Sequence, residues 1–381
     1  MKPARRRFAS EFEQRCPGGT PGRRAVLLLA VRQAVGVIAL AGLVWAAGAL
    51  PAAARAHRHE AHSQRLTAEA VNAARYEGRG AARAPGAVVL KAQVLLDRAS
   101  FSPGAIDAKP SENFAKALAA YQQAQGLAPS GKLDADTWQR LAGKSDVPAL
   151  IEYEISEDDV KGPFTPQIPK KLEDMSGLEH LDYTGPVQLL AEKFHVTQSL
   201  LRELNRGRAL DQAGSVIVVP NVREARADDA AARVEVDKAL KAVRAFAADG
   251  SLVAFYPASI GSKEKPAPSG TFRIRQVAEN PTYHYDPKFQ FKGVKAQQPF
   301  TIRPGPNNPV GLVWIDLSKP SYGIHGTPDP SKIGKTQSHG CVRLTNWDAL
   351  DLARRVRKGV QVAFLDAGQK TDAGGRMSDR R

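Results

Sequence analysis

Apolar residues recur at helical spacing between residues 86 and 145, where they predict three short helices. Asp134 is placed to cap the third helix, and Gly126 is placed to end the second. Helices this short must bury their apolar faces against one another to be stable in water. The pattern therefore predicts a small helical bundle, whose expected core residues are Leu95, Phe114, Leu118, Tyr121 and Trp138.

Residues 150–222 show a strand pattern, two helical patterns and a second strand pattern. Thr197 is a candidate N-cap for the second helix, and Pro220 ends the second strand. A Pro-rich stretch, 162–171, interrupts the first part of the unit. The order predicts a small βααβ module built from the segments LIEYEI, PVQLLAEKFHV, TQSLLRELN and VIVVP.

Residues 232–366 alternate apolar and polar positions over many short stretches, which is typical of a β-rich, sandwich-like domain. One late helical pattern follows, with Asn346 as its expected N-cap and Gly359 as its expected end. The tail, 367–381, has almost no apolar content and is expected to be disordered. The whole chain is therefore predicted to be a multidomain α+β protein.

The N-terminus, residues 1–56, has the composition of an export signal. It holds nine of the 54 basic and two of the 39 acidic residues in a chain of net charge +15. An apolar run, 34–50, precedes small residues at Ala54 and Ala56. We expect either a cleaved signal peptide or a retained inner-membrane anchor, with the rest of the chain in the periplasm or cell envelope. A polar linker, 57–85, follows. Basic clusters interleaved with aromatic residues are absent from the sequence, so no nucleic-acid partner is expected.

The stretch QSHGCVRLTN, residues 337–346, places a cysteine between a histidine and an arginine. The chain has one other cysteine, Cys16, which lies ahead of the apolar run. If that leader is removed, Cys341 is a lone thiol in an oxidising compartment, where it cannot form an internal disulfide. Three interpretations are open: a small core residue, a metal ligand or a reactive thiolate.

His325 lies 16 residues before Cys341, and the intervening loop contains prolines and a glycine, so the imidazole can return to the thiol. There it could take the thiol proton and later give it to a leaving amine. The carbonyl of Gly326 could hold the imidazole in the required tautomer. The N–H groups of Gly340 and Cys341 could form an oxyanion hole, and Arg343 would favour both a thiolate and a substrate carboxylate.

A metal site is the weaker alternative. His325, His339 and Cys341 lack a clear fourth ligand, because His284 is the only other histidine of this domain and the chain contains no Cys-x₂-Cys pair. We therefore expect neither a metal nor a cofactor.

The motifs YGIHGT and SHGCVRLTNWDALDLA, with PAPSGTF and GPNNPVGLVWIDL upstream, resemble the catalytic domain of the L,D-transpeptidase (YkuD-like) family. The resemblance implies that Cys341 is the nucleophile and His325 the general base. The residues it assigns to support and to an oxyanion hole are Gly326, Ser338, His339, Gly340 and Arg343. Those it assigns to substrate binding are Asn308, Trp314 and Tyr322.

In that family the cysteine attacks the bond after the L-centre of meso-diaminopimelate in a tetrapeptide stem of peptidoglycan. It releases D-alanine and passes the acyl group to an amine, giving a 3-3 crosslink. Transfer to a protein amine, such as that of an outer-membrane lipoprotein, or to water would use the same residues and stays open. A lid over the thiol is expected in 263–271 or 286–309.

Two further resemblances concern the N-terminal modules. Residues 86–145 resemble a peptidoglycan-binding type 1 module on the motifs LKAQVLLDR and GKLDADTWQRL. Residues 150–222 resemble a LysM module, which implies binding to glycans that contain N-acetylglucosamine. Alternatives are a spacer role for both modules, or a non-catalytic wall-binding protein. The second is disfavoured because His325, Gly340 and Cys341 are all present.

Overall fold

The structure is a computed structural model of the chain. It describes residues 66–78, 80, 82–143, 147–222, 230–262, 265–289, 294–336, 338, 340–371 and 377–379. The expected leader, the first part of the linker and His339 lie outside these residues. Within the described residues, no helix combines the length and apolar composition needed to cross a membrane.

Helices and strands alternate in blocks along the described chain. The helices are α1 (Ala68–Ala73), α2 (Ala87–Arg98), α3 (Glu112–Ala124), α4 (Ala135–Ala142), α5 (Glu157–Lys161), α6 (Leu172–Met175), α7 (Pro186–Lys193), α8 (Gln198–Leu204) and α9 (Asn346–Arg355). The strands up to residue 302 are β1 (Leu150–Glu154), β2 (Val216–Pro220), β3 (Arg233–Asp237), β4 (Ala242–Phe246), β5 (Leu252–Pro257), β6 (Ser259–Ile260), β7 (Gly270–Glu279), β8 (Tyr283–Tyr285) and β9 (Phe300–Ile302). The later strands are β10 (Val313–Leu317), β11 (Gly323–His325), β12 (Val342–Arg343), β13 (Gln361–Leu365), β14 (Gln369–Thr371) and β15 (Met377–Asp379).

The three helices predicted for the first module are α2, α3 and α4. Asp134 caps α4, accepting a hydrogen bond from the Thr137 amide at 2.8 Å, and Gly126 adopts a φ of 70° just after α3. The rings of Phe101 and Tyr121 meet edge to face at 5.4 Å inside the bundle. The predicted helices and their apolar faces are confirmed.

The bundle shares its core with the β-rich region. Its buried side chains form one cluster with Ala242, Phe246, Leu252 and Phe255 of β4 and β5. The Ser102 amide also donates a hydrogen bond to the Phe255 carbonyl at 2.9 Å. The outer face of β4 and β5 is apolar because the helical bundle covers it. This contact could not be predicted from strand alternation, since the bundle is distant in sequence.

The second module begins and ends with the two predicted strands and contains the two predicted helices, α7 and α8, but two further short helices, α5 and α6, lie between β1 and α7. Strands β1 and β2 pair antiparallel, and α7 and α8 pack on them. The Thr197 hydroxyl caps α8 at the amide of Leu200, as expected. The buried amide of Asn205 donates to the Leu201 and Val218 carbonyls and ties α8 to β2.

The end of the predicted linker is part of the fold, so that boundary was wrong. Thr67 caps α1, and Val71 is fully buried with the core of the second module. Asn72 bonds both the carbonyl and the amide of Leu150 on β1, each at 2.9 Å. A single valine among alanines and polar residues gave no periodic signal for this helix.

The β-rich region is a nine-stranded sheet in the order β5-β4-β3-β13-β7-β10-β11-β12-β6. Its two edge strands, β5 and β6, are joined by Ala258 alone, so the sheet must curl until its edges meet in a nearly closed sandwich or barrel. Most neighbours are antiparallel, but β11 and β12 run parallel, as do β3 and β13. Helix α9 packs its buried Ala349 and Leu352 into the sheet core. The expected β-rich domain with one late helix is confirmed.

Two smaller expectations for this region were wrong. The tail forms a short antiparallel pair, β14 with β15, where disorder was expected, and backbone pairing needs no apolar side chains. Helix α9 is capped by Thr345, whose hydroxyl accepts from the Asp348 amide, and Asn346 is its first helical residue. The Asn346 side chain is used elsewhere.

Candidate active site

Three neighbouring strands bring the predicted catalytic residues to one face of the sheet. His325 on β11 pairs directly with Trp314 on β10 and with Arg343 on β12. Directly paired residues project to the same face, and Cys341 lies immediately before β12, two residues from Arg343. Trp314 and Cys341 also belong to one apolar cluster. The parallel β11–β12 pairing thus closes the 16-residue interval between His325 and Cys341.

The His325 imidazole is held in one tautomer. Its Nδ1 lies 2.7 Å from the Gly326 carbonyl oxygen, and the side chain is buried. A carbonyl can only accept, so Nδ1 carries the hydrogen and Nε2 is the basic nitrogen. This is the orientation that the sequence predicts for a general base.

A tryptophan fixes the plane of the same ring. The Trp314 and His325 rings stack at a centroid distance of 5.5 Å and an interplanar angle of 24°. A Cβ at Gly323 would lie 2.5 Å from Trp314 Cζ2, so only glycine leaves room for the indole there. Gly323 and Trp314 therefore restrict how the imidazole can rotate.

Cys341 is half-buried, and its backbone and thiol are both held. The thiol donates to the Ser321 carbonyl at 3.8 Å. The hydroxyl of buried Ser338 donates to the Cys341 carbonyl at 2.5 Å, and the Ser338 amide donates to the Gly261 carbonyl at 3.0 Å. Ser338 therefore holds the segment that carries Cys341, and its predicted supporting role in catalysis stays a prediction.

Arg343 provides positive charge beside the thiol. Burial lowers the pKa of its guanidinium, while the Cys341 thiol acts in the opposite direction. Arginine remains protonated at neutral pH, so this charge favours the thiolate form of Cys341.

Gly340 has a φ of 110°, a backbone conformation that favours glycine. A Cβ there would lie 3.4 Å from the ring of Tyr322, which is half-buried and has the Lys319 ammonium 5.3 Å from its ring centroid. Tyr322 is thus placed beside the loop that precedes the thiol and remains a candidate for substrate contact.

Two predicted substrate-binding residues are not available to a substrate, and those assignments are corrected. Asn308 is fully buried, where its amide donates to the Ile302 and Arg303 carbonyls and its oxygen accepts from the Val310 amide. Trp314 is only 1% exposed and stacks on His325. Asn308 holds a loop, and Trp314 positions the imidazole.

The paired strands β8 and β9 lie in the same apolar cluster as Cys341. The segment 172–181, which follows the Pro-rich stretch of the second module and begins with α6, contributes Leu172, Met175 and the fully buried Leu181 to that cluster. The Lys295 amide donates to the Glu173 carboxylate at 2.7 Å, which adds a polar contact to this packing. The mobility expected of a lid in this region stays a prediction.

Two residues of the site were missed by sequence analysis. The Asn346 side chain accepts from the Thr327 amide at 3.1 Å and the Leu312 amide at 3.2 Å, and it donates to Glu192 Oε2 at 2.9 Å. Asn346 sits inside the recognised motif, where it was interpreted as a helix cap. Glu192 lies on α7, and a glutamate in an amphipathic helix is expected on the face exposed to solvent. In fact it is 6% exposed, and burial raises its pKa to about 8, against the lowering effect of the Asn346 hydrogen bond.

Comparison with known proteins agrees with this geometry. The L,D-transpeptidase catalytic domain (YkuD) matches residues 231–363, and the peptidoglycan-binding domain PG_binding_1 matches residues 85–141. The Bacillus licheniformis protein named as L,D-transpeptidase YkuD is 33% identical over 180 residues, covering 47% of this chain and 92% of its own. The Escherichia coli protein named as L,D-transpeptidase YbiS is 28% identical over 188 residues, covering 48% of this chain and 61% of its own.

Among solved structures, L,D-transpeptidase 3 from Mycobacterium tuberculosis aligns with 40% of this chain and 76% of its own, at 16% identity and a TM-score of 0.30. The YkuD domain match coincides with the sheet that carries His325 and Cys341. The chain belongs to the L,D-transpeptidase (YkuD) family, and it carries a peptidoglycan-binding domain ahead of its catalytic domain.

Proposed function

We propose that this L,D-transpeptidase acts through Cys341 as nucleophile and His325 as general base on the tetrapeptide stems of peptidoglycan. The observation that carries the proposal is the hydrogen bond from His325 Nδ1 to the Gly326 carbonyl. It leaves Nε2 as the basic nitrogen of a ring that stacks on Trp314, and Cys341 packs in the same apolar cluster as Trp314. The family membership supports the reaction class, and the peptidoglycan-binding domain supports the substrate and a place in the cell envelope.

In the first half-reaction, His325 Nε2 takes the proton of the Cys341 thiol, and the sulfur attacks the carbonyl carbon at the L-centre of meso-diaminopimelate. The tetrahedral oxyanion would be stabilised by the N–H groups of Gly340 and Cys341. Its collapse breaks the C–N bond, and Nε2 returns its proton to the departing amino group of D-alanine. A thioester on Cys341 remains.

In the second half-reaction, an acceptor amine attacks the thioester carbonyl and gives one proton to His325 Nε2. The C–S bond breaks, and the proton passes to the Cys341 sulfur, so that the enzyme returns to its starting state. With a second stem peptide as acceptor, the product is a 3-3 crosslink. A lipoprotein amine or water would intercept the same thioester, so the acceptor alone separates these outcomes.

The charge beside the thiol supports a role in substrate binding as well. Arg343 pairs with His325 and lies two residues after Cys341, and Tyr322 lies beside Gly340. A guanidinium can bind the carboxylates of a stem peptide, and a tyrosine ring can cover its aliphatic parts. The second module, whose sequence resembles a LysM domain, would hold the glycan strand.

The test uses the purified full-length protein with a meso-diaminopimelate tetrapeptide as donor. We expect stoichiometric acylation in the intact mass spectrum, reversed by hydroxylamine, together with D-alanine release and a crosslinked product. Cys341→Ala should abolish all three, whereas Cys16→Ala should retain them. D-alanine release by Cys341→Ala at the unmodified rate would contradict the assignment. A tripeptide product without crosslinks would identify water as the acceptor.

A further inference from the structure

The peptide between Gly326 and Thr327 is held on both sides. Its carbonyl accepts from His325 Nδ1 at 2.7 Å, and its N–H, on Thr327, donates to the Asn346 side-chain oxygen at 3.1 Å. A peptide unit is planar, so the direction of the N–H also sets the direction of the carbonyl. Asn346 thereby aims the acceptor that holds the His325 imidazole.

The Asn346 side-chain oxygen occupies a tight backbone niche. It also accepts from the Leu312 amide at 3.2 Å. A Cβ at Gly311 would lie 2.1 Å from this oxygen, and a Cβ at Gly326 would lie 2.2 Å from it. The niche presents N–H donors, so it suits the oxygen of the amide and repels its NH₂ group.

The opposite end of the same amide selects this orientation. Asn346 Nδ2 donates to Glu192 Oε2 at 2.9 Å and to the Pro306 carbonyl at 3.2 Å. The Glu192 oxygen is the closer acceptor and the only one from a side chain among these contacts. If the amide turned over, its NH₂ would face the Leu312 and Thr327 amides, so an acceptor at residue 192 keeps the amide in place.

Glu192 belongs to a different module. It lies on α7 of the βααβ unit and is 6% exposed, and its second oxygen, Oε1, has no hydrogen-bond partner among the described residues. Burial raises its pKa to about 8, so it is protonated at neutral pH and can still accept through Oε2. Glutamine offers the same acceptor without titrating.

We propose that Glu192 is a positioning residue for the transpeptidase reaction, acting through Asn346 and the Gly326–Thr327 peptide on the His325 imidazole. The inference rests on the proposed role of His325 as general base. A chain of hydrogen bonds runs from His325 in the catalytic domain through Asn346 to Glu192 on α7. The second module therefore takes part in positioning the proposed base.

The main test compares Glu192→Met, which keeps the buried volume and removes the acceptor, with Glu192→Gln, which keeps the acceptor. Displacing a catalytic group by about 1 Å can cost on the order of 100-fold in rate. We expect Glu192→Met to lower kcat for D-alanine release by about 10- to 100-fold with little change in KM. Glu192→Gln should stay within about threefold of the unmodified enzyme.

A second measurement separates positioning from simple docking of the modules. In a Cys16→Ser background, the pH dependence of Cys341 alkylation by iodoacetamide reports how well an imidazole ionises the thiol. We expect the alkylation midpoint to move to higher pH in Glu192→Met and to stay unchanged in Glu192→Gln. Glu192→Ala is measured in parallel, so that a folding defect in one acceptor-free variant does not decide the outcome.

The matched control is Gln188→Ala, one turn earlier on α7. Gln188 is buried and bonds the Asn307 side chain of the catalytic domain at 2.9 Å, but it does not contact Asn346 in the described hydrogen bonds. Unmodified kcat and alkylation in a folded Glu192→Met or Glu192→Ala would overturn the proposal. Equal losses in Gln188→Ala would overturn it too. Turnover by Cys341→Ala in the same assay would instead refute the proposed nucleophile.

Discussion

Gly323 shows how one missing side chain shapes the site. Because its Cβ would lie 2.5 Å from Trp314 Cζ2, Gly323→Ala must push the indole away from the His325 ring. Overpacking of this kind costs about 1–3 kcal/mol. We expect a lower melting temperature and a fall in kcat of about tenfold, measured as D-alanine release well below the melting temperature.

The control for this substitution is Gly80→Ala, where a Cβ would meet nothing within 4 Å. It should leave both the melting temperature and kcat close to those of the unmodified protein. If Gly323→Ala also left kcat unchanged, the stacked indole would have no part in placing the imidazole.

Glu192 should make the stability of the protein depend on pH. Its pKa is about 8 in the folded chain and about 4.3 in an unfolded one. Between these values the unfolded state binds fewer protons, so this group lowers the free energy of unfolding as pH rises from about 4.5 to about 8. Glu192→Gln removes that dependence. The free energy of unfolding of Glu192→Gln, relative to that of the unmodified protein, should therefore rise by roughly 3 to 5 kcal/mol between pH 4.5 and pH 8.

Urea unfolding at pH 4.5, 6.5 and 8 measures this difference. Glu192 lines a cavity together with other titratable groups, which are present in both proteins, so their titrations largely cancel. These groups are Asp159, Tyr183, Lys193, His195, Asp351 and Arg354. A difference that did not change with pH would show that the Glu192 carboxyl is not shifted.

For single residues, the sequence indicated the groups proposed to take part in the reaction more readily than the residues that hold them in position. Cys341, His325 and the Gly326 carbonyl could be proposed from the sequence because thiol chemistry calls for these groups, and the structure supplies the hydrogen bond between His325 and the Gly326 carbonyl. Asn308 and Trp314 were misassigned because burial cannot be read from a motif. Glu192 could not be found, since its meaning depends on a contact with Asn346, 154 residues away.

Among the elements, the segment 172–181 of the second module has a clear structural role. It follows the Pro-rich stretch and packs α6 and Leu181 in one apolar cluster with β8, β9 and Cys341. The Leu181 carbonyl also accepts from the Asn307 amide at 2.9 Å. This segment therefore supports β8 and β9, and β9 lies within the expected lid range 286–309.

Leu181→Ala tests that support. Removing a fully buried leucine costs about 2–5 kcal/mol, and here the loss falls on the packing of β8 and β9. We expect faster hydrogen exchange in 283–285 and 300–302, measured by mass spectrometry. Val216→Ala, at a side chain that is 44% exposed, is the control and should leave exchange in those segments unchanged. Unchanged exchange in Leu181→Ala would mean that the segment 172–181 does not stabilise β8 and β9.

Element type and order were largely predictable, because alternation and helical spacing are local properties. The parallel pairing of β11 with β12 was not, since both strands are short and depend on neighbours in the sheet. Helix α1 was missed for a similar reason, because Val71 and Asn72 are ordered by contacts with distant residues.

Across the whole described chain, the modules share cores and polar contacts. Phe255 of β5 is fully buried in the cluster of the helical bundle. Buried Arg355 of α9 bonds the Ser100 hydroxyl, and the Ser102 hydroxyl donates to Asp348, so α9 is tied to the loop after α2. Sequence composition marks module boundaries but cannot show that faces on either side of them are joined.

This sharing predicts that the modules unfold together. Scanning calorimetry of the full-length protein should give one transition for the described region, with equal calorimetric and van't Hoff enthalpies. A truncated protein starting at residue 230 would expose the outer faces of β4 and β5, including Phe246 and Phe255. It should melt at a lower temperature, bind a hydrophobic dye and lose the Glu192 contact with Asn346. Two separate transitions, or a truncated protein as stable as the full chain, would show that the modules fold independently.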